Sequence, residues 1–135
     1  MKKEFCNPHP LKKPRYWSDA VSLSGPAKLV YVSGQVSWDA AGAVVGKGDM
    51  RAQCEQVFNN VGTVLRAAGA SWSDVIKMNG YMVGMNAANV AAFREIRARY
   101  LTPDQLPAST LVGVTSLVQP ELLLEVEVIA AIAAP

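Results

Sequence analysis

Between Met50 and Ala68 the apolar positions Cys54, Val57, Phe58, Val61, Val64, Leu65 and Ala68 recur three and four apart, which predicts an amphipathic helix. Asp49 stands where an N-cap belongs and Gly69 where a helix stops. A second helix is predicted from about Ala88 to Tyr100, capped by Asn86, with Val90, Phe93, Ile96, Arg97 and Tyr100 at helical spacing and Pro103 beyond its end. Around these helices the pattern changes to alternation, which predicts strands at Asp19–Leu23, Leu29–Trp38, Val75–Val83, Ser109–Val114 and Leu122–Ile132, with a brief one at Ala43–Val45. The turn Ser24-Gly25-Pro26-Ala27 joins the first two of these, and together they read as an antiparallel hairpin.

This order of elements predicts an α/β fold of the α+β kind, a mixed sheet with both helices on one face. The last strand is then decisive. It offers Leu122, Leu124, Val126, Val128 and Ala130 to one side and Leu123, Glu125, Glu127 and Ile129 to the other, so both faces are largely apolar. Two helices on one side cannot cover the second face, and its burial by another subunit is predicted.

Length and composition narrow the picture. A chain of 135 residues fits one domain. Residues 1–16 carry three of the eight prolines and four lysines without periodicity and read as a loosely held arm before a single domain over 17–135. The net charge is +2, but Lys2, Lys3, Lys12 and Lys13 all lie in that arm, so charge does not predict a nucleic-acid partner. Cys6 and Cys54 read as free thiols of a reducing compartment. With no signal-peptide core and with Glu125 and Glu127 interrupting the longest apolar run, a cytoplasmic protein that neither crosses nor enters a membrane is expected. The sequence holds no phosphate loop, no cluster with metal-ligand spacing, no Gly-x-Ser-x-Gly elbow and no dinucleotide-binding glycines. No metal and no organic cofactor is expected.

Few residues remain as candidates for chemistry. Glu125 is a carboxylate among Leu123, Leu124, Val126 and Val128. Desolvation there would make it hold its proton more tightly, as suits a general acid or base that activates water; the competing reading is a carboxylate at a wet edge or paired with an arginine. Ser33-Gly34-Gln35 breaks a strand with a glycine, which marks either a bulge or the close approach of a ligand. Trp17 and Tyr16 fit an aromatic lid or plain packing. Arg94, Arg97 and Arg99 fit an anion site or a solvated face. His9 lies between prolines in the arm with no second histidine to work with.

Taken together the segments WSDAV at 17–21, YVSGQV at 31–36, Gln53 with Asn60-Val61, Leu65 and Gly69, WSDVIK at 72–77, LPAST at 106–110 and LLEVEVIA at 123–130 resemble the Rid family over nearly all of Trp17 to Ile132. This family, the reactive intermediate deaminases, is also called YjgF or the perchloric-acid-soluble ribonucleases (endoribonuclease L-PSP). The resemblance implies a chorismate-mutase-like fold assembled as a homotrimer around a central barrel, with small-molecule clefts between subunits. It also implies hydrolysis of small enamines or imines, such as 2-aminoacrylate and its imine, to a keto acid and ammonia without a cofactor. By the same resemblance Glu125 positions or activates water, Ser33 and Gly34 hold substrate, and Trp17 stands where the family has tyrosine.

One departure stands out. The family motif reads Pro-Ala-Arg-Ser, and its arginine clamps the substrate carboxylate; here Ser109 and Thr110 follow Pro107-Ala108. Loss of a charged bidentate donor weakens such binding by about 2–5 kcal/mol. The expected substrate is therefore atypical, larger or less anionic, and Arg94 is a candidate for restoring a positive group from another direction. Two other functions stay open: a trimer that binds a small molecule without turning it over, and an endoribonuclease or translation inhibitor.

Overall fold

The computed structural model describes all 135 residues. Its elements are strands β1 (Lys2–Cys6), β2 (Ala20–Ser24) and β3 (Ala27–Gln35), helix α1 (Met50–Ala67), strand β4 (Val75–Val83), helix α2 (Ala87–Arg97) and strands β5 (Ala108–Val114) and β6 (Leu124–Ala133). The main sheet has the order β3-β6-β4-β5, with β4 and β5 parallel and the other pairs antiparallel. It is the mixed sheet that the alternation predicted. No helix is long and apolar enough to cross a membrane.

The helices end where their capping chemistry dictates. Asp49 accepts a hydrogen bond from the Ala52 N–H, and Asn86 accepts one from the Asn89 N–H. At the other end of α1, Gly69 takes φ +79°, so that the Ala70 N–H reaches back to the Leu65 carbonyl at 2.8 Å. Both helices lie on one face of the sheet. Phe58, Val61 and Leu65 of α1 and Phe93 and Ile96 of α2 join Val30 and Val32 of β3, Met78 and Met82 of β4, and Leu124, Val126 and Val128 of β6 in one core. Phe58 is its centre, with the Trp72, Phe93 and Tyr100 rings 5.4, 5.7 and 5.3 Å away. Each large apolar side chain fully buried there contributes about 1.5–3 kcal/mol.

Two expectations need correction. β2 and β3 are not a hairpin: β2 pairs with β1, and β3 pairs with β6. The Gly25-Pro26 turn passes the chain from a two-stranded ribbon to the main sheet, where Val30 and Val32 are buried in register with Ala130 and Val128 of β6. Nor are the first residues a free arm. Lys2–Cys6 form a strand on Ala20–Ser24, and Lys3 donates to the Ser73 carbonyl at 2.9 Å with Asp74 3.6 Å away.

One buried polar side chain ties the loop before α1 to the loop before β6. Gln53, with no exposed surface, donates to the Gly46 and Glu121 carbonyls at 3.1 and 2.7 Å and accepts the Leu123 N–H at 2.8 Å. Gln53→Leu leaves these backbone groups unpaired and costs roughly 3 kcal/mol or more, so the thermal midpoint is expected to fall by roughly 10 °C. Calorimetry checks this; a midpoint unchanged from the parent would show that water replaces the amide at no cost.

Candidate functional site

The second face of the sheet carries Leu29, Tyr31 and Ser33 from β3, Glu125, Glu127 and Ile129 from β6, Lys77, Asn79 and Tyr81 from β4, and Thr110 and Val112 from β5. Nothing in the chain covers it. Tyr31 is 72 % exposed, and Leu29 and Val112 are exposed as well. Glu125 and Glu127 thus lie half-buried on an open, partly apolar face.

The glycine in β3 does mark a bulge. Val32 stands opposite Val128 and Gln35 opposite Val126, so β3 has one residue more than β6 between these pairs. The extra length falls at Ser33-Gly34, and the Glu125 side chain lies against Gly34. A Cβ at Gly34 would stand 1.9 Å from Glu125 Oε1 and 2.7 Å from its Cδ. The absence of a side chain at 34 is what makes room for this carboxylate. Asn60 of α1 fixes the exit of the strand by donating to the Val36 and Trp38 carbonyls at 3.0 and 2.9 Å.

A neighbouring constellation escaped the sequence reading. Asn79 and Tyr81 donate to Glu127 Oε1 at 3.0 and 2.7 Å. The Asn79 bond, then the Tyr81 bond, hold the Glu127 carboxyl below its ordinary range, and the Glu127 bond raises the Tyr81 phenol. Ser33, Lys77, Asn79 and Glu127 line a shallow cavity of about 250 Å³. Polar residues at alternate positions of β4 and β6 were the available signal, but the pairing register that brings them together is not written in either strand alone.

The remaining candidates are elsewhere. Ser109 is in register with the buried Met78, so it points to the helix side of the sheet, while Thr110 beside it points to the open face, where the Lys77 ammonium is 3.5 Å from its hydroxyl. The Ser18 N–H donates to the Pro107 carbonyl and lays residues 16–18 along β5. Trp17, Ser109 and Arg94 consequently meet in a cavity of about 330 Å³ whose wall includes Phe93, Leu111 and Arg97.

Arg97 is the residue that the reading of a solvated arginine face misplaced. It is 4 % exposed. The signal was its spacing from Phe93 and Ile96 on the inner side of α2, with Tyr100 in the turn just beyond. Arg99 does belong to the wet face, paired with Glu55 at 3.2 Å and Glu95 at 3.7 Å.

The predicted site is therefore two half-sites. Ser33, Gly34 and Glu125 sit on the open face, and Trp17, Arg94 and Ser109 sit on the helix side at the β5 edge. One chain does not bring them into a common cavity.

Comparison with known proteins agrees with this architecture. Residues 9–132 match the family model described as endoribonuclease L-PSP. A RutC family protein of Pyrococcus horikoshii is 36 % identical over 102 residues, 76 % of this chain and 78 % of that protein. A 2-iminobutanoate/2-iminopropanoate deaminase of Dermatophagoides farinae is 30 % identical over 101 residues, 75 % of this chain and 74 % of that one. The crystal structure of a Rid-family protein from Yersinia pestis superposes with a TM-score of 0.86 at 38 % identity, covering 98 % of this chain and all of that one.

Two outcomes follow from the open face. In Gly34→Ala the Glu125 carboxylate is expected to move by about 1.5 Å, from 1.9 Å toward ordinary contact at about 3.5 Å, while the fold persists because the three clashing atoms, Cγ at 2.9 Å included, all belong to the Glu125 side chain and none to backbone. A crystal structure of the variant decides; an unmoved Glu125 would mean that the strand shifts instead. For Glu127, NMR titration should place the carboxyl below the usual glutamate range and Asn79→Ala should move it upward. Since the folded carboxylate is the favoured form, the associated stability is present above that usual range and lost as pH falls through the folded value. No movement in the variant would contradict the role given to Asn79.

Proposed function

Since the chain belongs to the Rid family, also described as endoribonuclease L-PSP, we propose that it is a hydrolytic deaminase acting on a small enamine or imine in a cleft completed by a second copy of itself within a homotrimer. The observation that carries the reading is the seating of Glu125 against Gly34 on a sheet face that the chain leaves uncovered. The likeness to a named 2-iminobutanoate/2-iminopropanoate deaminase supports the reaction class.

The chemistry needs little machinery. Glu125 takes a proton from a water as the oxygen adds to the imine carbon, and returns it to the nitrogen, which has received the electron pair of the C=N bond. When the carbinolamine collapses, Glu125 takes the hydroxyl proton and passes it to the nitrogen, the C–N bond breaks, ammonia leaves and the carbonyl remains. A carboxylate serving first as base and then as acid needs neighbours that limit its solvation. A partner subunit laid on the face of Tyr31, Ile129 and Val112 would supply them. The Gly34 backbone and the Ser33 hydroxyl orient the substrate from the bulge, with Thr110 on the same face, and Trp17 with Ser109 from the neighbouring copy shape the far side of the cleft.

With a serine at 109, a binding trimer without turnover is the second reading, and one assay separates the two. An amino-acid oxidase generates 2-iminobutanoate in the presence of semicarbazide, and the protein is expected to compete with semicarbazone formation. Glu125→Gln should lose this competition by a factor of about 10²–10⁴, the usual contribution of a general base, with the assembly intact. Equal semicarbazone yield with and without the parent protein selects the binding reading, and a fully active Glu125→Gln removes this residue from the mechanism.

A further inference from the structure

Three arginines converge on Tyr16 without an acidic partner. Arg94 Cζ lies 4.2 Å and Arg15 Cζ 5.8 Å from the centre of its ring, and Arg97 donates to its carbonyl oxygen. None of the three takes part in an ion pair, whereas Arg51 and Arg99, on the outside of the helices, are both paired with glutamates. Arg97 is the unusual member. Its Nε donates to the Met78 sulfur at 3.4 Å, a weak acceptor, and its Nη2 is buried with no partner at all.

A guanidinium in this position is costly to the fold, because burial removes its hydration and no carboxylate replaces it. Burial lowers its pKa to about 10, with repulsion from Arg94 adding to the effect, so it remains a cation at neutral pH. The cavity that Arg94 and Arg97 line has Val90, Phe93 and Leu111 on its apolar wall. A smaller one of about 160 Å³, on which Arg97 also borders, contains Arg15.

We propose that Arg97 and Arg94, reaching from α2, form the anion-binding end of this cleft, and that its ligand is a small monocarboxylate with a short apolar tail. The guanidinium fork matches a carboxylate and supplies the charge that Ser109 cannot. The adjoining apolar wall takes the tail, which inorganic phosphate lacks. The expectation of a less anionic ligand, drawn from Ser109 alone, is thereby replaced: the positive group has changed its place in the chain, from the start of β5 to the inner side of α2. This assignment rests on the cleft reading above for the identity of the cavity as a substrate site, but its test measures binding and needs no turnover.

Titration calorimetry of the full chain at constant ionic strength compares 4-methylpentanoate, 4-methylpentanamide and inorganic phosphate. The carboxylate is expected to bind about tenfold or more tightly than either of the others. Arg94→Met and Arg97→Met should each weaken the carboxylate by about tenfold and leave the amide within about twofold. If Arg97→Met does not fold, as judged by circular dichroism, the ratio in the parent protein and the Arg94→Met result decide. Equal affinity for acid and amide, phosphate binding as tight as the carboxylate, no binding of the carboxylate, or an Arg94→Met protein that binds it normally would each overturn the proposal. Carboxylate binding with no imine turnover leaves the anion site standing and removes the deaminase; turnover without carboxylate selectivity does the reverse.

Discussion

A four-stranded sheet has two faces, and this chain has helices for one. The core between α1, α2 and the sheet is closed, with Phe58, Leu65, Met78, Met82 and Leu124 wholly buried. The other face carries Leu29, Tyr31 and Val112 in the open and Ile129 half-exposed, beside two glutamates. Apolar surface of this kind drives association, and the same face holds the bulge that seats Glu125. In the proposed assembly, association and chemistry are tied to one surface: a partner that removed the apolar cost would also give the carboxylate its surroundings.

What the sequence disclosed follows from the range of the interactions involved. Helix periodicity and caps are local, so α1 and α2 with Asp49, Gly69 and Asn86 were readable within a residue or a few. β4 was legible because Met78, Gly80 and Met82 alternate with Lys77, Asn79 and Tyr81. Partner choice between strands is non-local. The hairpin expected of β2 and β3 has the right turn, but β3 gains more by burying Val30 and Val32 against β6. The strand at Lys2–Cys6 was hidden in a lysine- and proline-rich composition, because only its pairing with β2 and the contact of Lys3 with Ser73 and Asp74 order it.

The site shows the same division. Gly34 within a strand and Glu125 within an aliphatic run each carried a local signal, and the structure brings them into contact. The clustering of Asn79, Tyr81 and Glu127 depends on register, and the burial of Arg97 depends on which side of α2 meets the sheet. A charged residue at an inward helical position was the available clue, outweighed by the arginines around it. Ser109 gave the opposite problem: a missing arginine at the motif is visible in the sequence, while the guanidiniums gathered around Tyr16 are visible only in the fold.

Ser33, Gly34 and Glu125 face away from Trp17, Arg94, Arg97 and Ser109 within one chain, and a copy related by rotation would set one group opposite the other. Sedimentation velocity at micromolar concentration tests this most directly. The account predicts a single species with three times the mass of one 135-residue chain. A species with the mass of one chain would contradict it, because the carboxylate and the arginines would then never enclose the same ligand.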